Sequence, residues 1–402
     1  MRGNVLLDKM ELVCPAYIES ADCIPISRKK NKSRISVRLA AAAACITIAI
    51  YAGIKLLPRK PDLPILTVTE AVDGMGFEGY YLYDISELVN ENPWSEDMRL
   101  TKLPVYQNAL TYDEYQIASG ADFDKMREFL LDVAGRLGLD TSVLTVTDDA
   151  PSEEKKQKSI ERFRKRGAAI PDGYFNPTKL IIETDDLRIE VDQTMAATVR
   201  FKTALPISEE YNILSHASYD DMKSVAEFLK HTHKDLIGID DPQVNICGGS
   251  YSTDGEQRYS IDFFDMSGKS TEQILHYNLN RVTFGFNDDG ELYIVRIFSP
   301  DLSQKVGDYP IINTKQATEL LAAGNYITTV QYEMPGTEYI GKVELIYRDV
   351  NREEYYMPYY RFYVELPEQE GEGGLKTYGA YYVPAIESAY ISNMPVWDGG
   401  FN

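Results

Sequence analysis

Apolar residues are spread unevenly along the chain. The longest run opens on Leu39 and closes on Leu57, LAAAAACITIAIYAGIKLL, interrupted only by Lys55. As a helix, residues 39–57 rise roughly 28 Å, close to the ~30 Å hydrocarbon core of a bilayer. Arg28, Lys29, Lys30, Lys32, Arg34 and Arg38 precede the run, whereas only Lys55, Arg59 and Lys60 stand at its other end. The stronger basic flank stays cytoplasmic, so residues 1–38 are expected to be an inner tail and the region after the span to lie outside the cell membrane. A buried helix of a soluble domain needs apolar cover on every side, which the polar tail does not supply. A cleaved signal peptide carries its charges nearer the N-terminus and has a shorter apolar region. A lipoprotein cysteine closes its apolar run, but Cys45 is followed by Ile46-Thr47-Ile48-Ala49-Ile50. A retained single-pass anchor is the expectation. Pro58, Pro61 and Pro64 then make residues 58–65 a stiff, extended spacer.

Helical spacing returns at Phe123, Met126, Phe129, Leu130, Val133, Ala134 and Leu137, predicting a helix closed by Gly138. Met222, Val225, Ala226, Leu229 and Leu236 mark a second helix over residues 219–237, opened by Ser218 and Asp221 and closed by Gly238. The two share their flanks. Phe123-Asp124-Lys125-Met126 matches Tyr219-Asp220-Asp221-Met222, and Leu137-Gly138-Leu139-Asp140 matches Ile237-Gly238-Ile239-Asp240. Each is followed by a short strand (143–147, 244–247) and later by a hairpin (179–184 with 187–191, 281–286 with 292–298). The pattern reads as a duplicated helix-plus-sheet module, with chance agreement of two short patches as the alternative.

The expected fold class is α+β: the single transmembrane helix followed by helix-plus-antiparallel-sheet modules. Residues 66–206 and 207–308 form two extracytoplasmic modules, and residues 309–402 a C-terminal, aromatic-rich β section. In that section Asn313 and Gln316 open a short helix that Gly324 closes. Strands are predicted over 341–348, 358–366 and 376–384. Tyr359, Arg361 and Tyr363 fall on one face, Tyr360, Phe362 and Val364 on the other.

Charge narrows the partners. Residues 1–60 carry 11 Lys and Arg against 4 Asp and Glu, and the rest carry 30 against 58, so net charges of +7 and −28 make up the chain's −21. An outer surface that acidic repels nucleic acid, which removes it as a partner. Of the four cysteines only Cys247 lies beyond the anchor, so packing rather than an internal disulfide must hold the outer region.

Motifs of catalysis are incomplete. His231 and His233 stand two apart on a helix, which is not chelating spacing, and HExxH does not occur. Gly268-Lys269-Ser270 lacks the earlier glycine of a phosphate loop, because Phe263 stands there. Gly248-Gly249-Ser250-Tyr251-Ser252 lacks the final glycine of a nucleophile elbow. Asn287-Asp288-Asp289-Gly290 lacks the alternating ligands of a calcium loop. No catalytic, cofactor-binding or metal-ligating residue is assigned. Tyr355, Tyr356, Tyr359 and Tyr360 are the candidate binding residues, since exposed aromatics stack on sugars or grip a peptide. Cross-strand packing inside a sheet is the competing reading.

Tyr17-Ile18-Glu19-Ser20-Ala21-Asp22, Arg28-Lys29-Lys30, and Arg38 before the Ala-rich span form a recognisable series. It resembles bacterial single-pass proteins, common among Gram-positive gut bacteria, that act near extracytoplasmic-function sigma factors as anti-sigma-like regulators. More distantly, Ile311-Ile312-Asn313-Thr314-Lys315-Gln316-Ala317 and Tyr381-Tyr382-Val383-Pro384-Ala385 resemble PepSY-type modules and the membrane-tethered accessory regulators of a Gram-positive cell-wall histidine kinase. The resemblance implies partner binding rather than turnover, and no functional residue carries over. The expectation is a membrane-anchored, extracytoplasmic, non-catalytic sensing or binding protein of bacterial envelope regulation. Its partner would be a protein or a cell-wall ligand, and it needs no cofactor. A tethered cell-wall enzyme or enzyme helper is the alternative.

Overall fold

Helices form where apolar positions recur every three to four residues and a side chain can cap the first turn. The computed structural model describes residues 63–69, 81–83, 90–113, 117–214, 217–251, 257–349, 352–370 and 374–399. The expected tail, the anchor over residues 39–57 and most of the spacer lie outside the described residues. Among the described residues no helix is long and apolar enough to cross a membrane.

α1 (Phe123–Arg136) starts at Asp122, whose carboxylate accepts from the Asp124 and Lys125 amides, and it buries Met126, Leu130, Val133 and Ala134. α2 (Glu153–Arg166) buries no residue and was not expected from the sequence. α3 (Tyr219–Thr232) opens on the expected reciprocal cap between Ser218 and Asp221. The unbroken helix expected over 219–237 is interrupted at His233, where φ is −112° and ψ 27°, and resumes as α4 (Lys234–Ile237). The break sets the His233 ring 5.8 Å from Phe284 and 6.5 Å from Phe228, and Leu236 and Ile237 enter the same core. Gly238, at φ 63°, takes the left-handed conformation that ends the turn. α5 (Ser270–Leu279) and α6 (Thr314–Ala322) follow, α6 opening on the expected Asn313–Gln316 cap.

Before α1 come β1 (Tyr81–Tyr83), β2 (Lys102–Gln107) and the small hairpin of β3 (Thr111–Tyr112) and β4 (Ala118–Ser119). After α1 come β5 (Val146–Asp148), β6 (Lys179–Glu183), β7 (Leu187–Asp192) and β8 (Ala196–Leu205). β9 (Pro242–Tyr251), β10 (Gln257–Asp265), β11 (Arg281–Phe286) and β12 (Leu292–Phe298) follow α3 and α4. The C-terminal section holds β13 (Lys305–Pro310), β14 (Ile327–Thr328), β15 (Ile340–Tyr347), β16 (Tyr355–Tyr356), β17 (Pro358–Glu370) and β18 (Lys376–Pro384).

Neighbouring strands hydrogen-bond in the order β15-β17-β18-β1-β9-β10-β11-β12-β8-β7-β6-β5, with β14 beside β18. A second sheet places β2 between β13 and β16. The chain is thus α+β with antiparallel sheets. Two four-strand sets, β5 to β8 and β9 to β12, meet through their last strands, so the order reads alike from both ends.

One core joins α1 and α3 to Ile189 and Val191 of β7, Val199 of β8, Phe284 of β11 and Val295 of β12. Burying each side chain of this size contributes about 1.5–3 kcal/mol. Strands β15, β17 and β18 are covered on both faces instead. Tyr360, Phe362, Val364 and Tyr381 meet Ala317 and Leu321 of α6, while Tyr359, Tyr382 and Ile346 meet Leu66, Val105 and Tyr309. Two-sided cover explains why these strands read as near-continuous apolar runs.

Candidate functional site

Strand alternation turns one face of β8, β11 and β12 away from α1 and α3, and the register sets Thr283, Arg296 and Thr198 side by side across it. Asp262 of β10 continues the row beside Thr283, and Asn245 of β9 follows. Thr283 Oγ1 donates to Asp262 Oδ1 at 2.6 Å, and Asn245 Nδ2 donates to Asp262 Oδ2 at 3.4 Å. In the C-terminal strands the register aligns Glu344, Arg361 and Tyr382. Arg361 Nη2 donates to Glu344 Oε2 at 2.6 Å, Lys342 Nζ lies 2.9 Å from Glu344 Oε1, and Asn90 Nδ2 donates to that oxygen at 2.5 Å.

Both groups of strands line a cavity of about 440 Å³. Four guanidinium groups reach it, from Arg281, Arg296, Arg348 and Arg361, together with Asn278, Tyr382 and the threonines at 194, 198, 283 and 329. Arg281 Nη2 pairs with Asp349 Oδ2 at 2.6 Å. Arg348, 5% exposed, lies 3.0 Å from Glu353 Oε1. Its guanidinium sits 5.3 Å from the centre of the Tyr359 ring and 5.2 Å from that of Tyr382. Arg296 is exposed and has no partner among the described residues.

Burial and charge set the acids behind these walls apart. Burial pushes the Glu353 carboxyl up to about 7, against the opposing pull of Arg348. Burial also acts to raise Glu344, but Arg361, Lys342 and the Asn90 hydrogen bond outweigh it and hold that carboxyl at about 2. Burial, aided by the Asp262 charge, pushes the Cys247 thiol up to about 11, which leaves it protonated and a poor nucleophile at neutral pH. None of the three lines the cavity, and among the described residues its lining holds no His, Cys, Ser or Lys. The arrangement supplies positive charge from four arginines and hydrogen-bond donors, the groups that hold an anionic ligand. Among the described residues no group of three or more His, Cys, Asp or Glu is placed to hold a metal ion.

The candidate tyrosines are dispersed. Tyr356, Tyr359 and Tyr360 are 4%, 0% and 3% exposed and belong to three different clusters, while Tyr355 stays half-buried. Tyr360 Oη donates to the Ile312 carbonyl at 2.8 Å, and its ring meets Trp94 edge-on at 5.8 Å. Together they form no exposed platform; only Tyr359 touches the site, beneath Arg348. The arginines were missed. The available signal was alternation for Arg296, opposite the apolar Val295 and Ile297, and for Arg361 a lone charge among the aromatics of its strand.

Comparison with known proteins finds no matching family model and no matching curated protein. Among solved structures, an uncharacterized protein from Eubacterium rectale is similar at 11% identity and a TM-score of 0.32, over 71% of this chain and 84% of that one. A likeness that low leaves fold and function to this chain's own geometry.

Proposed function

We propose that this chain is a membrane-anchored, extracytoplasmic protein that binds a ligand without turning it over and serves bacterial envelope regulation. The anchor rests on the apolar residues 39–57 and their basic flank. The observation that carries binding is the cavity of about 440 Å³, lined by four arginines and a set of neutral hydrogen-bond donors. Small ligands occupy cavities of roughly 300–1,000 Å³. Two helices with matching flanks, each leading into four strands of one sheet, support descent from a duplicated module.

Protease added to intact protoplasts is expected to remove a C-terminal tag and spare an N-terminal one. A shielded C-terminal tag, or a chain released from envelopes by a salt wash, refutes the anchored topology. Loss of residues 1–30 is expected to abolish any envelope-stress phenotype of the gene; an unchanged phenotype removes inward signalling.

A further inference from the structure

Fourteen arginines follow residue 60, and four of them line this one cavity, where no lysine does among the described residues. Arg281 and Arg296 come from adjacent strands of one four-strand set, Arg348 and Arg361 from the C-terminal section. Composition does not place such a concentration in a region of net charge −28. Guanidinium meets a carboxylate or phosphate with two parallel hydrogen bonds, which ammonium cannot do.

Three of the four have carboxylate neighbours in Asp349, Glu353 and Glu344. Arg296 has none among the described residues, and it is flanked across the sheet by Thr198 and Thr283. Asn278 is 7% exposed; its Oδ1 accepts from the Tyr347 amide at 3.0 Å, which leaves Nδ2 without an acceptor among the described residues. Arg348 Nη1 is buried and makes no well-directed hydrogen bond, although Glu353 stands beside it. Asp192 is the acid on the lining without a cation partner among the described residues; its Oδ1 accepts from Thr194 N, Thr194 Oγ1 and Ala196 N, and its Oδ2 is the remaining carboxylate acceptor. The lining therefore holds donors in excess of acceptors.

We propose that the cavity binds a small organic anion through its carboxylate or phosphate group, with Arg296 as the principal charge partner and Asn278 as a neutral donor. This rests on the reading of the cavity as a ligand site. The test is calorimetric titration of the full chain in detergent with glucuronate, citrate and inorganic phosphate, with N-acetylglucosamine as the uncharged comparison. At least one anion is expected to bind with a Kd below ~1 mM. Arg296→Gln weakens that binding about tenfold or more. Thr198→Glu does the same by placing a carboxylate beside Arg296, and Arg164→Gln on α2 leaves it unchanged. Preference among the three anions separates a carboxylate ligand from a phosphate one. The absence of anion binding at ~10 mM overturns the proposal, as does binding that both Arg296→Gln and Thr198→Glu leave intact. If N-acetylglucosamine binds, Asn278→Ala abolishes that binding, and no anion binds, the ligand-site reading stands and the anion fails. If nothing binds, both fail.

Discussion

Replacing Glu344 by glutamine tests the ionic layer behind the cavity. Glu344 is 2% exposed, with Arg361 at 2.6 Å and Lys342 at 2.9 Å. Burial by itself raises its carboxyl, yet the two cations and Asn90 hold it at about 2 against an ordinary 4.5. At about 1.4 kcal/mol per pH unit, this displacement makes the ionised form worth about 3 kcal/mol to the folded state. Because the folded value is depressed, the contribution is complete above the unfolded value of 4.5 and is lost as pH falls toward 2. Glutamine keeps the shape, removes the charge and leaves Arg361, 15% exposed, without this counter-ion. Breaking one side of a buried pair costs about 3–5 kcal/mol, the same order by an independent route. Urea unfolding of the full chain can be followed through its two tryptophans, since Trp94 packs on Tyr360 and Trp397 on Tyr326. Glu344→Gln is expected to lower the unfolding free energy by about 3 kcal/mol at pH 7, and the gap narrows below pH 4.5. A gap under about 0.5 kcal/mol at pH 7, or one that ignores pH, refutes the reasoning.

Glu353 has the opposite sign. Between its unfolded 4.5 and its folded value of about 7 the native state holds a proton that the unfolded state lacks, so stability falls as pH rises through that window. Glu353→Gln is expected to flatten that slope in urea midpoints measured from pH 5 to 7. Gly120 adopts φ 92°, and a methyl there runs into the Ala109 carbonyl oxygen, so Gly120→Ala is expected to cost about 1–3 kcal/mol in thermal unfolding. α2 buries no residue, so its amides are expected to exchange with deuterium faster than those of α1; equal protection by mass spectrometry contradicts this.

What could be read from the sequence was local. α1, α3 and α6 begin at residues whose side chains bond the first-turn amides, and the hairpins of β6 with β7 and β11 with β12 are set by adjacent turn residues. β8 escaped because Ala196, Ala197, Lys202 and Ala204 are weak strand formers; pairing with both β7 and β12 supplies what propensity does not. α2 escaped because Ile160 and Phe163 make too sparse an apolar stripe. It is closed by Ser152 and Gly167 and laced by the Lys158–Glu154 and Lys165–Glu161 pairs. At the break His233 packs against Phe284, a residue 51 positions away that no local window contains.

The cavity was invisible for a related reason. Arg296 occupies the outward phase of an alternating strand, which in isolation describes a solvated position, and Arg361 is a single charge in the aromatic run of β17. They become walls only because a sheet face from residues 192–298 and another from residues 329–382 line the same space. Neither wall alone has the donors: Arg281 and Arg296 stand on one, Arg348 and Arg361 on the other, and Asn278 of α5 bonds the Tyr347 amide of the second. An anion touching both is bound only while they keep their native spacing. At a concentration 100 times its Kd such a ligand stabilises the folded chain by about 2.7 kcal/mol. The ionic layer of Glu344, Arg361 and Lys342 fixes the second wall, so weakening it by Glu344→Gln must loosen ligand affinity together with stability. Loss of Arg296 is expected to act on affinity alone, because that exposed side chain makes no hydrogen bond or ion pair among the described residues.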